Sequence, residues 1–355
     1  MSAAEDESFA GNDWVAAMRA ADFARAWAIA DADLAGLATT KANKHEGPRH
    51  LQRIWRGEDL HDRIVLVRCY HGLGDTIQFA RFLPSLGRIA REVIVWCQAP
   101  LLGLIARVPG VGRVLALNDG APGVPFDVDI EIMELAHALR AKRELVQVRG
   151  PYLAPSGPPA RLRDREGVSI GLVWRVGNWD KRREVPASLV RKLIVPDVAA
   201  FSLQRDVTTQ EIAEVGAVDI STADIDELSN KLRALDLVIT VDTMVAHLAG
   251  ALGCETWIML HADCDWRWPA SGRDSYWYPR ARLFHQRRAG DWSAVVAEIA
   301  CALSERVGAI RSAREIRASP PLAEGPPNAA RAAASGGASD SPGESPQAAS
   351  VPPSP

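Results

Sequence analysis

The chain has 355 residues, 47% of them hydrophobic and 24% charged, with a formal net charge of -3, which leaves room for two ordinary domains with cores of their own plus extensions. The near-neutral balance gives no argument for nucleic acid or a strongly anionic surface as a partner, and no nucleic acid is expected. Five scattered cysteines (Cys69, Cys97, Cys254, Cys264, Cys301) without C-x-x-C spacing read as buried reduced thiols rather than a disulfide framework.

The start, Met1 to Asn12, is acidic and lacks the basic region and apolar run of a signal peptide, and no later apolar run is long enough to span a bilayer. A cytoplasmic protein is expected. Asp13 to Ala35 carry an Ala-rich helical pattern (Trp14, Met18, Phe23, Trp27, Ile29, Leu34) with a break near Ala21-Asp22, which predicts two short antiparallel helices. One such unit cannot bury its own apolar face. Residues 1–60 are therefore expected to form a helical extension docked on the main body.

From Asp62 short apolar strands alternate with helices. Strands are predicted over Arg63 to Tyr70, Glu92 to Gln98, Val111 to Leu117 and Val128 to Ile132, with helices over Thr76 to Ala90, Pro100 to Val108 and Met133 to Arg140. This alternation implies a parallel sheet with helices on both faces, a Rossmann-like domain over 61–150. Residues 151–167 read as a linker punctuated by Pro151, Pro155, Gly157, Pro158 and Pro159. A second Rossmann-like domain follows over 168–310, with strands Val168 to Trp174, Ala199 to Leu203, Ala217 to Ile220, Asp236 to Val241 and Glu255 to Leu260, and a final helix Trp292 to Val307. Residues 311–355 are expected to hold a helix end and a tail too poor in large apolar side chains to order itself.

Two strand-to-helix junctions could carry chemistry, since ligands of open α/β sheets sit beyond the carboxyl ends of strands, near the positive end of the next helix. The first is Tyr70-His71-Gly72-Leu73-Gly74-Asp75-Thr76. Gly72 and Gly74 permit a tight turn and close backbone approach, but Ile77 stands where a dinucleotide fingerprint needs its third glycine. Asp75 would repel a phosphate; it is either a helix cap or a general base. The second junction runs from Asp242-Thr243 into Met244, Val245, Ala246 and His247 and faces a basic loop with Arg175, Lys181, Arg182 and Arg183. Cations plus a helix N-terminus suit a diphosphate, although Asp242 and Thr243 could equally be a cap, His247 a structural residue and the loop merely solvated. Asp263-Cys264-Asp265 has no third ligand in register, so no metal is expected. Asp265-Trp266-Arg267-Trp268 and Tyr276-Trp277-Tyr278-Pro279 either cover the edge of the second sheet or pack on a nucleotide base or sugar.

Three segments together, Gly72-Leu73-Gly74-Asp75-Thr76 with Gln78-Phe79-Ala80-Arg81, Val241-Asp242-Thr243 with Ala246-His247-Leu248-Ala249-Gly250-Ala251-Leu252-Gly253, and Asp265-Trp266-Arg267-Trp268, resemble the heptosyltransferases of glycosyltransferase family 9, of the kind found with tetratricopeptide repeats. The resemblance runs from about Arg49 to Leu303. It implies a GT-B fold, two Rossmann-like domains facing across a cleft, and inverting transfer without metal or other cofactor from a nucleotide-diphospho-sugar such as ADP-heptose to a lipopolysaccharide core or other saccharide hydroxyl. A lipopolysaccharide acceptor implies peripheral contact with the inner membrane. By the same resemblance Asp75 is the base, and Lys181, or Arg182 or Arg183, neutralises the leaving diphosphate. Asp242 holds sugar hydroxyls, the N–H groups from Thr243 through Met244 to Val245 bind phosphate, and His247 supports that turn. His71, Gly72, Gly74, Gln78 and Arg81 belong to the acceptor-side loop. The family commonly has Gly where Met244 stands, which narrows the room beside the sugar. Transfer to protein, or nucleotide-sugar binding without catalysis, are the alternatives.

Overall fold

The computed structural model describes residues 13–39, 55, 57–162, 167–177 and 180–318. The expected disordered tail lies largely outside these residues, as does part of the N-terminal extension. In the first half, β1 (Ile64–Arg68), β2 (Glu92–Cys97), β3 (Arg113–Ala116) and β4 (Val128–Glu131) build a parallel sheet of order β3-β2-β1-β4. In the second, β5 (Val168–Val173), β6 (Val198–Ser202), β7 (Val218–Asp219), β8 (Leu237–Val241), β9 (Thr256–Leu260) and β10 (Ala281–His285) build one of order β10-β9-β8-β5-β6-β7, again parallel. Central strands of such sheets are covered on both faces, which is why Val65-Leu66-Val67 and the whole of β8 are apolar or nearly so and buried. Strand order reverses between β1 and β4 in one sheet and between β5 and β8 in the other. Those two switch points open crevices beyond the strand ends.

Three elements depart from the sequence-based expectation. The first helix of the body begins at Leu73, not Thr76, because Gly72 serves as its N-cap and the Asp75 carboxylate returns to accept from the Gly72 N–H at 2.9 Å. It also stops at Phe79. A 3₁₀ turn, Ala80–Phe82, leads into a separate helix, Leu83–Gly87, because Pro84 has no N–H to give to Ala80. The last helix, Trp292–Ala318, runs well beyond Val307. Strand β10 was not expected at all, since Arg282 interrupts its apolar run; that side chain lies over the rings of Trp257 and Phe284.

The N-terminal helices, residues 13–19 and Phe23–Thr39, do not stand apart. Met18 and Trp27 are buried. The Trp27 indole N–H donates to the Ala141 carbonyl at 2.9 Å in the first half, while the Tyr276 hydroxyl of the second half donates to the Met18 carbonyl at 2.8 Å. Trp14 meets Trp266 edge-on at 4.9 Å. The pair thus bridges both halves. Among the described residues, no helix is long and apolar enough to cross a membrane.

Candidate active site

The helix after β1, Leu73–Phe79, and the helix after β8, Met244–Ala251, pack directly on each other. Gly74 makes this approach possible: a Cβ there would lie 2.9 Å from the His247 ring and 3.5 Å from the Met244 Cα. Neither Gly72 nor Gly74 adopts a positive φ. The turn at Gly72, closed by the Asp75 N–H on the Gly72 carbonyl at 3.1 Å, therefore needs no left-handed backbone, and close approach is what Gly74 supplies. The two acid-bearing junctions become neighbours across one seam.

At the first junction, Asp75 is both cap and partner. One carboxylate oxygen accepts from Gly72, and the other is held by the Arg267 guanidinium, which reaches over from the β9–β10 loop. Arg267 is almost fully buried, stacks on the Trp266 ring at 4.4 Å, and also donates to Gln78 and to Asp265, each at 2.8 Å. Gln78 and Arg81 are turned inward rather than toward an acceptor. Gln78 is fully buried under Arg267, and Arg81 is boxed by the rings of Tyr152, Trp277 and Tyr278 while it donates to the carbonyls of Val146 and Trp277. The short Leu73–Phe79 helix is covered all round by its second turn, so four consecutive positions, 76 to 79, are all buried. His71 stays half-exposed beside the junction.

At the second junction, Thr243 caps the Met244–Ala251 helix, its hydroxyl accepting from the Val245 N–H at 3.2 Å. That N–H is consequently engaged locally. His247 is buried, shares a hydrogen bond of 2.8 Å with the Tyr278 hydroxyl, stacks on Trp268 and stands 3.9 Å from Asp242. Burial foremost, with Arg267, Arg81 and Arg183 adding to it, pushes its pKa well below the usual histidine value, so it is a neutral wedge between the helices. The basic loop sorts itself by partner. Lys181 pairs with Glu184 at 2.8 Å and Arg182 with Asp180 at 2.9 Å, whereas Arg183 donates to the Asp242 carboxylate at 3.0 Å. Arg183, not Lys181, is the cation seated at the strand end. Asp263 and Asp265 diverge: Asp263 is mostly exposed, and Asp265 is bound to Arg267.

With this geometry the fold can be compared with solved structures. A family 9 glycosyltransferase from Veillonella parvula superposes with a TM-score of 0.52 at 10% identity, over 73% of this chain and 99% of its own. The heptosyltransferase TibC of enterotoxigenic E. coli, solved in complex with ADP-D-beta-D-heptose, gives 0.51 at 13% identity over 70% and 78%. This chain has the GT-B heptosyltransferase fold. Among curated proteins, Protein FlbA of Caulobacter vibrioides is 27% identical over 298 residues, 71% of this chain and 48% of its own length. The chain thus spans about half the length of that relative. No protein-family model matches it.

Within this fold Asp242, at the end of β8, is a perturbed acid. Burial, opposed by Arg183 and reinforced by Asp265, raises its pKa from 3.8 to about 6. A raised carboxyl pKa means that the folded protein takes up a proton that the unfolded chain does not. The stability cost of the ionised group is absent below about pH 4 and complete above about pH 6. Asp242→Asn removes this titration. Relative to wild type, the variant is expected to gain on the order of 2 kcal/mol between about pH 4.5 and about pH 7.5. Urea unfolding of both proteins at the two pH values measures the difference, and parallel pH curves would contradict it.

Proposed function

We propose that this chain is a glycosyltransferase that moves a sugar, with inversion and without a metal, from a nucleotide-diphospho-sugar to a saccharide hydroxyl. One observation carries the reading: two strand-end junctions of opposite character, Asp75 held by Arg267 and Asp242 faced by Arg183, lie across one seam between two Rossmann-like halves. In the proposed reaction the acceptor hydroxyl gives its proton to Asp75 as its oxygen bonds to the anomeric carbon. The bond from that carbon to the diphosphate breaks on the opposite face. Arg183 and the N-terminal end of the Met244–Ala251 helix take up the charge on the departing nucleoside diphosphate. ADP-heptose is the first donor to test, because TibC was solved with it.

The test is calorimetry and thermal shift of the purified protein with ADP-, UDP-, GDP- and dTDP-sugars. A ligand that binds only the folded state at a hundred times its Kd should add about 2.7 kcal/mol of stability. One nucleotide class is expected to do so. Arg183→Ala should weaken that binding roughly tenfold or more, as loss of a charge-assisted contact does. Lys181→Ala, which loses only an exposed pair with Glu184, should stay within roughly twofold. Stabilisation by none of the four classes would remove the proposal.

A further inference from the structure

The first sheet has a second carboxylate at its switch point. Glu131 ends β4, directly beside Arg68 of β1 in the parallel register, so it sits at the strand edge from which the Asp75 helix departs. The turn after β4, Ile132–Glu134, packs on that helix. Glu131 is more than nine-tenths buried, yet among the described residues its Oε1 has no hydrogen-bond partner. That oxygen lies 3.3 Å from Nε2 of His71, whose ring is half-exposed at the acceptor-side loop and tilted against the Tyr70 ring at 5.2 Å. Buried polar atoms normally find partners, and an oxygen left over next to an open loop is a place for a ligand group to bond.

We propose that Glu131 and His71 form the acceptor-hydroxyl site, where Glu131 hydrogen-bonds one hydroxyl of a neutral saccharide and so presents a neighbouring hydroxyl to Asp75. This rests on the glycosyltransferase reading above. The paired rings of Tyr70 and His71 offer the apolar sugar face a platform. Local charge decides the class of acceptor. Burial foremost, then Glu134 and Asp75, outweigh Arg68 and push the Glu131 carboxyl up to about 8. At neutral pH it is therefore mainly a carboxylic acid, able both to donate to and to accept from a hydroxyl. A phosphate or carboxylate on the acceptor would instead meet Asp75 and Glu134, while the nearby cations Arg68 and Arg267 are already paired with Asp129 and Asp75.

The charged and titratable groups facing Glu131 are Arg68 from β1, Cys69, Tyr70 and His71 from the segment that follows it, Asp75 from the adjoining helix and Glu134 from the following turn. As pH rises through about 8, Glu131 loses its donor proton and saccharide binding should weaken. The experiment is a glycan array carrying neutral and acidic oligosaccharides, probed with full-length wild type, Glu131→Gln, Glu131→Ala and His71→Ala, with calorimetry of ADP-heptose on the same preparations. Wild type is expected to retain neutral glycans. Glu131→Ala and His71→Ala should bind them at least tenfold more weakly, while Glu131→Gln keeps part of the affinity and loses its dependence on pH around 8. Donor affinity should be unchanged in all three. The proposal is overturned if wild type retains no neutral glycan, prefers acidic ones, or is matched by Glu131→Ala, and equally if Glu131→Gln keeps the wild-type pH dependence. Failure of wild type to bind any nucleotide-sugar is a separate result that sinks the glycosyltransferase reading itself.

Discussion

Asp75→Asn is expected to lower transfer by roughly a hundred- to ten-thousand-fold, the range a positioned general base contributes. The substitution keeps the size of the side chain, and its carbonyl can still accept from the Gly72 N–H, so the helix start survives. It cannot take the acceptor's proton at neutral pH. Its amide can offer Arg267 a single carbonyl oxygen at most, so a modest fall in melting temperature should accompany the loss. Donor affinity should persist, because Asp242 and Arg183 are untouched. Single-turnover assays with a labelled nucleotide-sugar separate the two effects. Turnover within about threefold of wild type would exclude Asp75 as the base.

Arg267→Ala is expected to be the most destabilising single change at the seam. It strips the partner from Asp75 and from Asp265 and leaves the side-chain amide oxygen of Gln78 buried without its donor. Removing one member of a buried ion pair costs about 3 to 5 kcal/mol. Both carboxylates keep 23% exposure, so water recovers part of that. A loss of about 2 to 4 kcal/mol follows, or roughly 5 to 12 °C in melting temperature. Arg267→Lys should rescue little, because one ammonium cannot fill the three directions that the planar guanidinium serves at once. A variant that melts within about 1 °C of wild type would show that the contacts of Arg267 are energetically idle.

Arg267 also marks the limit of reading by pattern. It stood in the quoted run Asp265-Trp266-Arg267-Trp268 as a residue for a base or a sugar. Besides its near neighbour Asp265, it holds Asp75, 192 residues earlier. Glu131 is not distinguished by pattern, because an acid at the end of Val128-Asp129-Ile130-Glu131 looks like any strand end. The signal that could have found it is the pair of alternating acids, Asp129 and Glu131, on one face of a strand otherwise destined for a core. Gln78 and Arg81 were placed on the acceptor loop by resemblance. The helix start at Leu73 turned them inward instead.

What the sequence determined by itself is whatever depends on near neighbours. Apolar runs of four to six residues between helical patterns dictate parallel strands. An Asp-Thr ending on a buried strand dictates a capped helix. Only the tertiary structure decided which charges meet. Arg183 rather than Lys181 reaches Asp242, Arg267 reaches Asp75, and Gly74 admits His247, because each depends on how two helices from different halves settle against each other. That register is fixed by side-chain volume at the seam and by the exclusion of water from its ion pairs, and neither leaves a period in the sequence.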